Sequence, residues 1–157
     1  MHLHVELIEK FYAAFARLDA EAMVSCYHDE VRFTDPVFPM LRGEHAGNMW
    51  RMLCSNAIDL KVRASAISAD DNQGSAHWDA TYTFSKTKRF VENKIDAVFD
   101  FKDGKIVRHV DSFGLWKWTR MALGPVGILL GWSPLVQNKL RREAAKQLIH
   151  FEEARQK

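Results

Sequence analysis

The spacing of the apolar residues changes once along this chain of 157 residues, near Leu60. Before that point they recur every three or four residues, which is the period of an amphipathic helix. After it they alternate with polar residues, which is the period of a strand. A chain that forms helices first and a run of strands afterwards is predicted to fold as an α+β domain.

The first half of the sequence predicts three helices and one short strand. Asp19 is predicted to cap the second helix, whose inner face would include Cys26 and Tyr27, and His28 follows in a polar turn where it is expected to be solvated. A short strand is expected from Val31 to Thr34, and the third helix after Gly43. The apolar faces of the first and third helices are formed by Val5, Leu7, Ile8, Phe11, Tyr12, Phe15 and Leu18, and by Ala46, Met49, Trp50 and Leu53.

The second half predicts a meander of strands. Asp103-Gly104 is typical of a tight hairpin turn, and the last strand is expected from Lys105 to about Phe113. We therefore predict a curved antiparallel sheet wrapped around the three N-terminal helices, with a cone-shaped interior. The residues expected on its inner face are Leu60, Val62, Ala64 and Ala66, then Trp78, Ala80, Tyr82 and Phe84, then Ile95, Ala97, Phe99 and Phe101.

Asp35 is the candidate general base, because it is a lone carboxylate in the apolar segment 31–41. Removal of water from an ionised carboxyl disfavours its charged form and raises its pKa toward the range useful for proton abstraction. The alternative is a turn residue whose side-chain oxygen accepts a backbone N–H beside Pro36.

Strand alternation predicts that two titratable groups of the last strand point into the cone. If Val107 and Phe113 face the core, His109 and Asp111 lie on the same face. His109 is then a candidate acid partner or oxyanion donor, and Asp111 would orient it. The alternative is a structural ion pair that closes the sheet.

The remaining candidates would bind an apolar substrate. Asn93 shares an inner face with Ile95 and supplies an amide, whereas the other candidates supply aromatic walls. Aromatic side chains at strand spacing also fill cores, so a purely structural role stays open. The candidate substrate-binding residues are Tyr12, Phe38, Trp50, Trp78, Tyr82 and Asn93.

Composition excludes several other classes of function. With 22 basic and 20 acidic residues and a net charge of +2, the chain has no global field of the kind that binds nucleic acid, so no nucleic-acid partner is predicted. Cys26 and Cys54 lack the spacing of metal ligands, so neither a metal nor a disulfide is expected. The chain starts without the apolar stretch of a secretory signal, which favours a cytoplasmic protein.

The C-terminal part is predicted to extend a cone domain of residues 1–113. Residues 114–157 comprise an apolar stretch broken by glycines and then a basic amphipathic helix that starts at Ser133-Pro134. The stretch is too short to span a bilayer, for which about 20 apolar residues are required. A lid over the cone or a dimer contact is favoured, and peripheral membrane contact through the helix is the less favoured use.

Four segments resemble the nuclear-transport-factor-2-like superfamily, in particular its SnoaL-like and ketosteroid-isomerase-like branch. The resemblance covers about residues 5–113 and is carried by Phe11–Asp19, Val31–Pro36, Leu41–Gly43 and Phe99–Val107.

The resemblance implies a cone-shaped pocket, frequent homodimers, and functions that range from isomerisation and polyketide cyclisation to epoxide hydrolysis, with non-catalytic members as well. It also implies that Asp35, as the carboxylate of the Asp-Pro motif, is the general base. The chain departs from the isomerase pattern at Phe11, which takes the position of the oxyanion-hole Tyr, and Tyr12 is rotated from it by about 100° around a helix.

Two classes of function follow from the sequence. The first is a cofactor-independent isomerase, cyclase or hydrolase that acts on a hydrophobic small molecule and uses Asp35 as its base. The second is a non-catalytic ligand-binding or dimerisation module whose pocket is filled by its own C-terminal segment.

Overall fold

A computed structural model describes residues 2–157 of the chain. Its elements follow the predicted order of three helices, a strand meander and a helical extension. The helices are α1 Leu3–Ala16, α2 Ala20–Val24, α3 Glu44–Asn56, α4 Leu115–Leu123, α5 Pro125–Leu130 and α6 Pro134–Arg155. The strands are β1 Tyr27–Thr34, β2 Leu41–Arg42, β3 Lys61–Ala69, β4 Gln73–Phe84, β5 Arg89–Lys102 and β6 Lys105–Ser112.

One six-stranded sheet runs in the order β2-β1-β6-β5-β4-β3. Neighbouring strands in the sheet are antiparallel, except that β1 and β6 are parallel. This pair departs from the predicted all-antiparallel sheet, because β1 returns to the sheet beside the last strand instead of pairing in a hairpin. The curved sheet and the helices together confirm the predicted α+β cone.

Two predictions about the start of β1 were wrong. The second helix ends at Val24, and Tyr27 is the first residue of β1 rather than part of a helix face. His28 is not fully solvated either, since only 17% of its side chain is exposed and its Nε2 lies 3.4 Å from Asp103. In the strand, the buried hydroxyl of Tyr27 is bonded to His109 of β6 and to Trp50 of α3.

Two β-bulges changed the predicted faces. In β6, Phe101 pairs with Ile106 and Asp100 with Arg108, so Val107 is the extra residue and Ile106 is the one that is fully buried. In β3, Ala66 has a φ of 52° and is exposed. The residues of β3 that pack on the core beyond this bulge are Ile67 and Ala69.

The core fills the space between the sheet and the first three helices. Phe11 and Phe15 of α1, Trp50 of α3, and Phe33 and Phe99 of the sheet are each at most 1% exposed. From α6, Leu148 joins the same core, with Ala144 and Phe151 packed beside it. The extension therefore shares one core with the cone, whereas the division of the chain at residue 113 stays a prediction.

Candidate active site

The turn after β1 holds the carboxyl of Asp35 in a fixed position. Its Oδ1 accepts the backbone N–H of Val37 at 2.7 Å and of Phe38 at 2.6 Å. The backbone N–H of Asp35 donates in turn to the carbonyl of Phe38 at 2.9 Å. Pro36 favours this geometry because its fixed φ suits the second position of a tight turn. The turn interpretation of Asp35 is thus consistent with the structure.

The same carboxyl has the perturbed titration expected of a base. Burial raises the pKa of Asp35 from 3.8 to about 6, while the two backbone N–H groups oppose the shift. The charge of Asp111 raises this pKa further and His109 lowers it. The two interpretations of Asp35 are therefore compatible, because the turn fixes the position of a carboxyl that its surroundings make more basic.

A continuous chain of hydrogen bonds crosses the interior of the cone and passes through His109. Trp50 Nε1 donates to the hydroxyl of Tyr27 at 2.8 Å, and that hydroxyl lies 2.8 Å from His109 Nδ1. His109 Nε2 lies 2.8 Å from Asp111 Oδ1, which also accepts Trp78 Nε1 at 3.3 Å. His109 is fully buried and Asp111 is 3% exposed, so alternation placed both residues correctly on the inner face.

Both ring nitrogens of His109 are occupied by protein groups. With Asp111 ionised, both ring nitrogens form hydrogen bonds when the proton is on Nε2. Nε2 then donates to Asp111, and Nδ1 accepts the hydroxyl proton of Tyr27. Aromatic rings surround the imidazole, with centroids 4.5 to 6.1 Å away. These rings belong to Phe11, Tyr27, Phe33, Trp50 and Phe99.

One buried side-chain polar atom in this interior, the hydroxyl of Tyr12, lacks a hydrogen-bond partner among the described residues. Burial and the nearby charge of Asp111 hold the pKa of Tyr12 well above its ordinary value. Both hydrogen bonds to the carboxylate of Asp111 end on Oδ1. Unpaired polar atoms inside an apolar core are typical of sites that bind a ligand or water.

The structure brings together seven of the nine predicted site residues. Trp78 lies between Tyr12 and Trp50, with ring centroids 6.1 and 6.4 Å away. These aromatic residues share the cone with Asp35, His109 and Asp111. Phe38 is buried in the turn of Asp35. Trp50 and Trp78 also donate their indole N–H groups to the central network, so both have a structural role as well.

The other two predicted residues lie further along the sheet. Tyr82 and Asn93 follow Trp78 and Ile95 toward the β4–β5 hairpin. Tyr82 is four residues from Trp78, or about 13 Å along a strand. Its hydroxyl accepts the indole N–H of Trp118 at 2.6 Å, so α4 covers it. Both residues are only partly buried.

Sequence reasoning missed the part played by Tyr27. Tyr27, Val31 and Phe33 stand at even spacing in β1 and were the available signal, which the exposed Asp29 interrupts. Its partner His109 lies 82 positions later in the chain, a distance over which local patterns carry no information.

The largest side chains of the cone interior are fully buried. Two surface depressions, of about 460 and 340 Å³, lie elsewhere, one along Ser68–Asp70 and Asp100 and the other around Ser25 and Lys105. None of the nine predicted site residues lines either depression. The open hydrophobic pocket therefore stays a prediction. In the described part of the chain, no cluster of three or more His, Cys, Asp or Glu side chains is arranged to hold a metal.

A family model of the SnoaL-like domain matches residues 8–109. The chain belongs to this SnoaL-like family. The matched range runs from α1 to β6 and holds every predicted site residue except Asp111. No curated protein sequence matches the chain significantly.

Solved structures share the SnoaL-like fold of this chain at low identity. An LEH-like epoxide hydrolase of M. tuberculosis is 19% identical, with 85% of this chain and 95% of that one covered and a TM-score of 0.63. A putative SnoaL-like polyketide cyclase from Jannaschia sp. CCS1 is 12% identical, with 78% and 93% covered and a TM-score of 0.69. TerC, crystallised with polyporic acid, is 17% identical, with 76% and 98% covered and a TM-score of 0.65. At these identities the likeness shows the fold alone.

Proposed function

We propose that this SnoaL-like protein is a cofactor-independent acid–base enzyme that isomerises, cyclises or hydrolyses an apolar small molecule. The observation that carries the proposal is the hydroxyl of Tyr12, which is buried without a partner in the interior that also holds Asp35 and Asp111. Leaving such a group unpaired costs about 1–3 kcal/mol, an expense that a substrate oxygen bound to it would offset.

Each polar residue has a distinct role in this proposal. Asp35 is the general base, held by its turn and with a pKa of about 6 that suits proton abstraction near neutral pH. Tyr12 donates to the substrate oxygen on which negative charge develops. His109 is a positioning residue, because both its nitrogens are bonded to protein groups and it orients Asp111.

The likeness to an epoxide hydrolase, polyketide cyclases and a polyporic acid complex supports an apolar, oxygen-bearing substrate for this chain. Hydrophobic carbonyl compounds and epoxides are therefore the substrates to test first. Trp78 would form the substrate-binding wall, since its ring lies 6.1 Å from that of Tyr12.

The test is a turnover screen of apolar carbonyl compounds and epoxides with three variants. Asp35→Asn keeps an oxygen for the two backbone donors and should lose about 10²- to 10⁴-fold in kcat. Tyr12→Phe should lose kcat while remaining folded. Asp70→Asn is the matched control, because Asp70 accepts two backbone N–H groups in the same manner, at 2.8 Å, on the surface. Full activity of Asp35→Asn would remove Asp35 from the mechanism.

The second candidate function is a non-catalytic module filled by its own C-terminal segment. It is favoured by Leu148 of α6, which is 4% exposed within the same core as the candidate site. A module predicts that Leu148→Ala opens an interior that binds an apolar dye, while the wild type neither binds the dye nor turns over any compound of the screen.

A further inference from the structure

The helical extension exposes an apolar surface, which we call the α5 patch. Helix α5 has the sequence Pro-Val-Gly-Ile-Leu-Leu, and its only buried residue is Gly127. Leu129 is 70% exposed and the neighbouring Trp132 is 62% exposed. The patch consists of Trp116, Val126, Ile128, Leu129, Leu130, Trp132 and Leu135. Contiguous exposed apolar surfaces of this kind mark sites of interaction.

Close packing of α5 on α4 fixes the shape of the α5 patch. Gly124, with a φ of 66°, reverses the chain between α4 and α5. A Cβ at Gly127 or at Gly131 would overlap Thr119 of α4, so the two helices pack through bare backbone. The indole N–H groups of Trp116 and Trp132 donate to the carbonyls of Ile128 and Leu129, at 3.4 and 2.8 Å. These bonds satisfy the polar ends of both rings without water.

The segment of the chain that carries the patch has charged residues of a single sign. Residues 112–142 include five Lys or Arg and no Asp or Glu, although the whole chain has a net charge of only +2. Four of these cations are exposed and form no salt bridge with a described residue: Lys117, Arg120, Lys139 and Arg142. The guanidinium of Arg120 lies 4.5 Å from the centroid of the Trp116 ring, which places positive charge directly at the apolar surface.

We propose that the α5 patch docks this protein on the surface of an anionic lipid bilayer. Apolar and tryptophan side chains would enter the boundary between headgroups and acyl chains, while the surrounding cations contact the anionic headgroups. The contact would be peripheral, because none of the helices formed by residues 2–157 combines the length and apolar character needed to cross a membrane. A second copy of the chain fits less well, since a symmetric contact would bring two sets of unpaired cations together.

The same β4–β5 hairpin that carries Tyr82 flanks the patch. Arg89 Nε donates to the carbonyl of Met121 at 2.9 Å, and its guanidinium lies against Gly124. Lys88 and Arg89 therefore add further positive charge at the junction of α4 and α5. This hairpin provides a second cationic edge for contact with anionic headgroups.

The test is sedimentation of the full chain with vesicles of phosphatidylcholine alone or mixed with phosphatidylglycerol. We expect the protein to bind the anionic vesicles at least tenfold more tightly than the neutral ones. This binding should weaken as salt is added. The double variant Leu129→Glu/Leu130→Glu should abolish binding, and Lys139→Gln should weaken it about fivefold. Ile58→Glu is the matched control, because Ile58 is 93% exposed outside the patch and its variant should bind as the wild type does.

Two results would overturn the proposal. One is equal binding of the vesicles by the wild type and by Leu129→Glu/Leu130→Glu. The other is the absence of vesicle binding by the wild type. In that case, a dimer in solution that the double variant converts to a monomer would assign the patch to a contact between two copies of the chain. Asp35→Asn should bind vesicles normally, so the docking surface and the proposed chemistry are tested separately.

Discussion

Arg141 Nε donates a hydrogen bond to the backbone carbonyl of Pro36 over 2.9 Å. This bond joins α6 to the turn that carries Asp35, and Glu152 makes a second link by accepting from His45 and Asn48 of α3 at 2.6 and 2.8 Å. The last helix of the chain therefore lies over the residue that the sequence marks as the base.

Replacement of Arg141 by Met should loosen the turn of Asp35. The variant keeps most of the aliphatic stem but loses the bond to Pro36, which should lower the free energy of unfolding by about 1 kcal/mol. Hydrogen exchange should become faster at the amides of Val37 and Phe38. Arg142→Met is the control, because Arg142 is exposed and makes no hydrogen bond to a described residue. Equal exchange in the two variants would contradict a role for α6 in holding the turn.

The raised pKa of Asp35 predicts a particular dependence of stability on pH. The pKa of Asp35 is about 6 in the folded protein, against 3.8 in the unfolded chain. Stability should therefore fall as pH rises through this window, by up to about 3 kcal/mol. Asp35→Asn removes this loss, so the variant should be the more stable protein at pH 7 and should match the wild type below pH 4. Urea unfolding across this range measures the difference.

Asp70 supplies a control of opposite sign. Its carboxyl accepts the N–H groups of Asn72 and Gln73 at the surface, and these bonds lower its pKa. The stability that Asp70 contributes is present above its unfolded pKa and is lost as pH falls through the lower folded value. Asp70→Asn should thus show no gain in stability at pH 7. A gain in this variant equal to that of Asp35→Asn would assign the effect to the turn rather than to burial.

Two buried tyrosines should respond in opposite ways to loss of the hydroxyl. Tyr12→Phe removes a group that has no partner and should leave stability unchanged or slightly higher. Tyr27→Phe leaves the indole of Trp50 and Nδ1 of His109 unpaired and should cost about 2 kcal/mol. Chemical unfolding of both variants gives the comparison. A similar loss in Tyr12→Phe would mean that its hydroxyl has a structural partner.

One methyl group added at Gly127 should disrupt the packing of α4 on α5. Gly127→Ala places a Cβ against the backbone of Thr119 and should cost about 2 kcal/mol through overpacking. Hydrogen exchange in residues 115–130 should rise with it. Gly114→Ala is the control, because its Cβ would lie 3.4 Å from Lys117, an ordinary contact. Equal stability of the two variants would show that the helices can separate without loss.

Periodicity alone was sufficient for α1, α3 and the strands of the meander. It placed His109 and Asp111 on the inner face, because alternate side chains of a strand point to the same side wherever no bulge intervenes. It was wrong at Ile106 and at Ala66, where a bulge inserts one residue and reverses the faces. The apolar character of residues 31–41 also predicted a desolvated carboxyl at Asp35, and burial does raise its pKa.

The sequence by itself thus determined the class of fold, the inner faces of most strands and the identity of the titratable residues. Only the tertiary structure decided that Tyr27 and Asp111 occupy both nitrogens of His109, that Tyr12 is left unpaired, and that α6 covers the turn of Asp35. The physical reason is the range of the interactions. Periodicity and desolvation act on neighbours in the chain, whereas hydrogen bonds between side chains depend on distances that are fixed only when remote segments pack together.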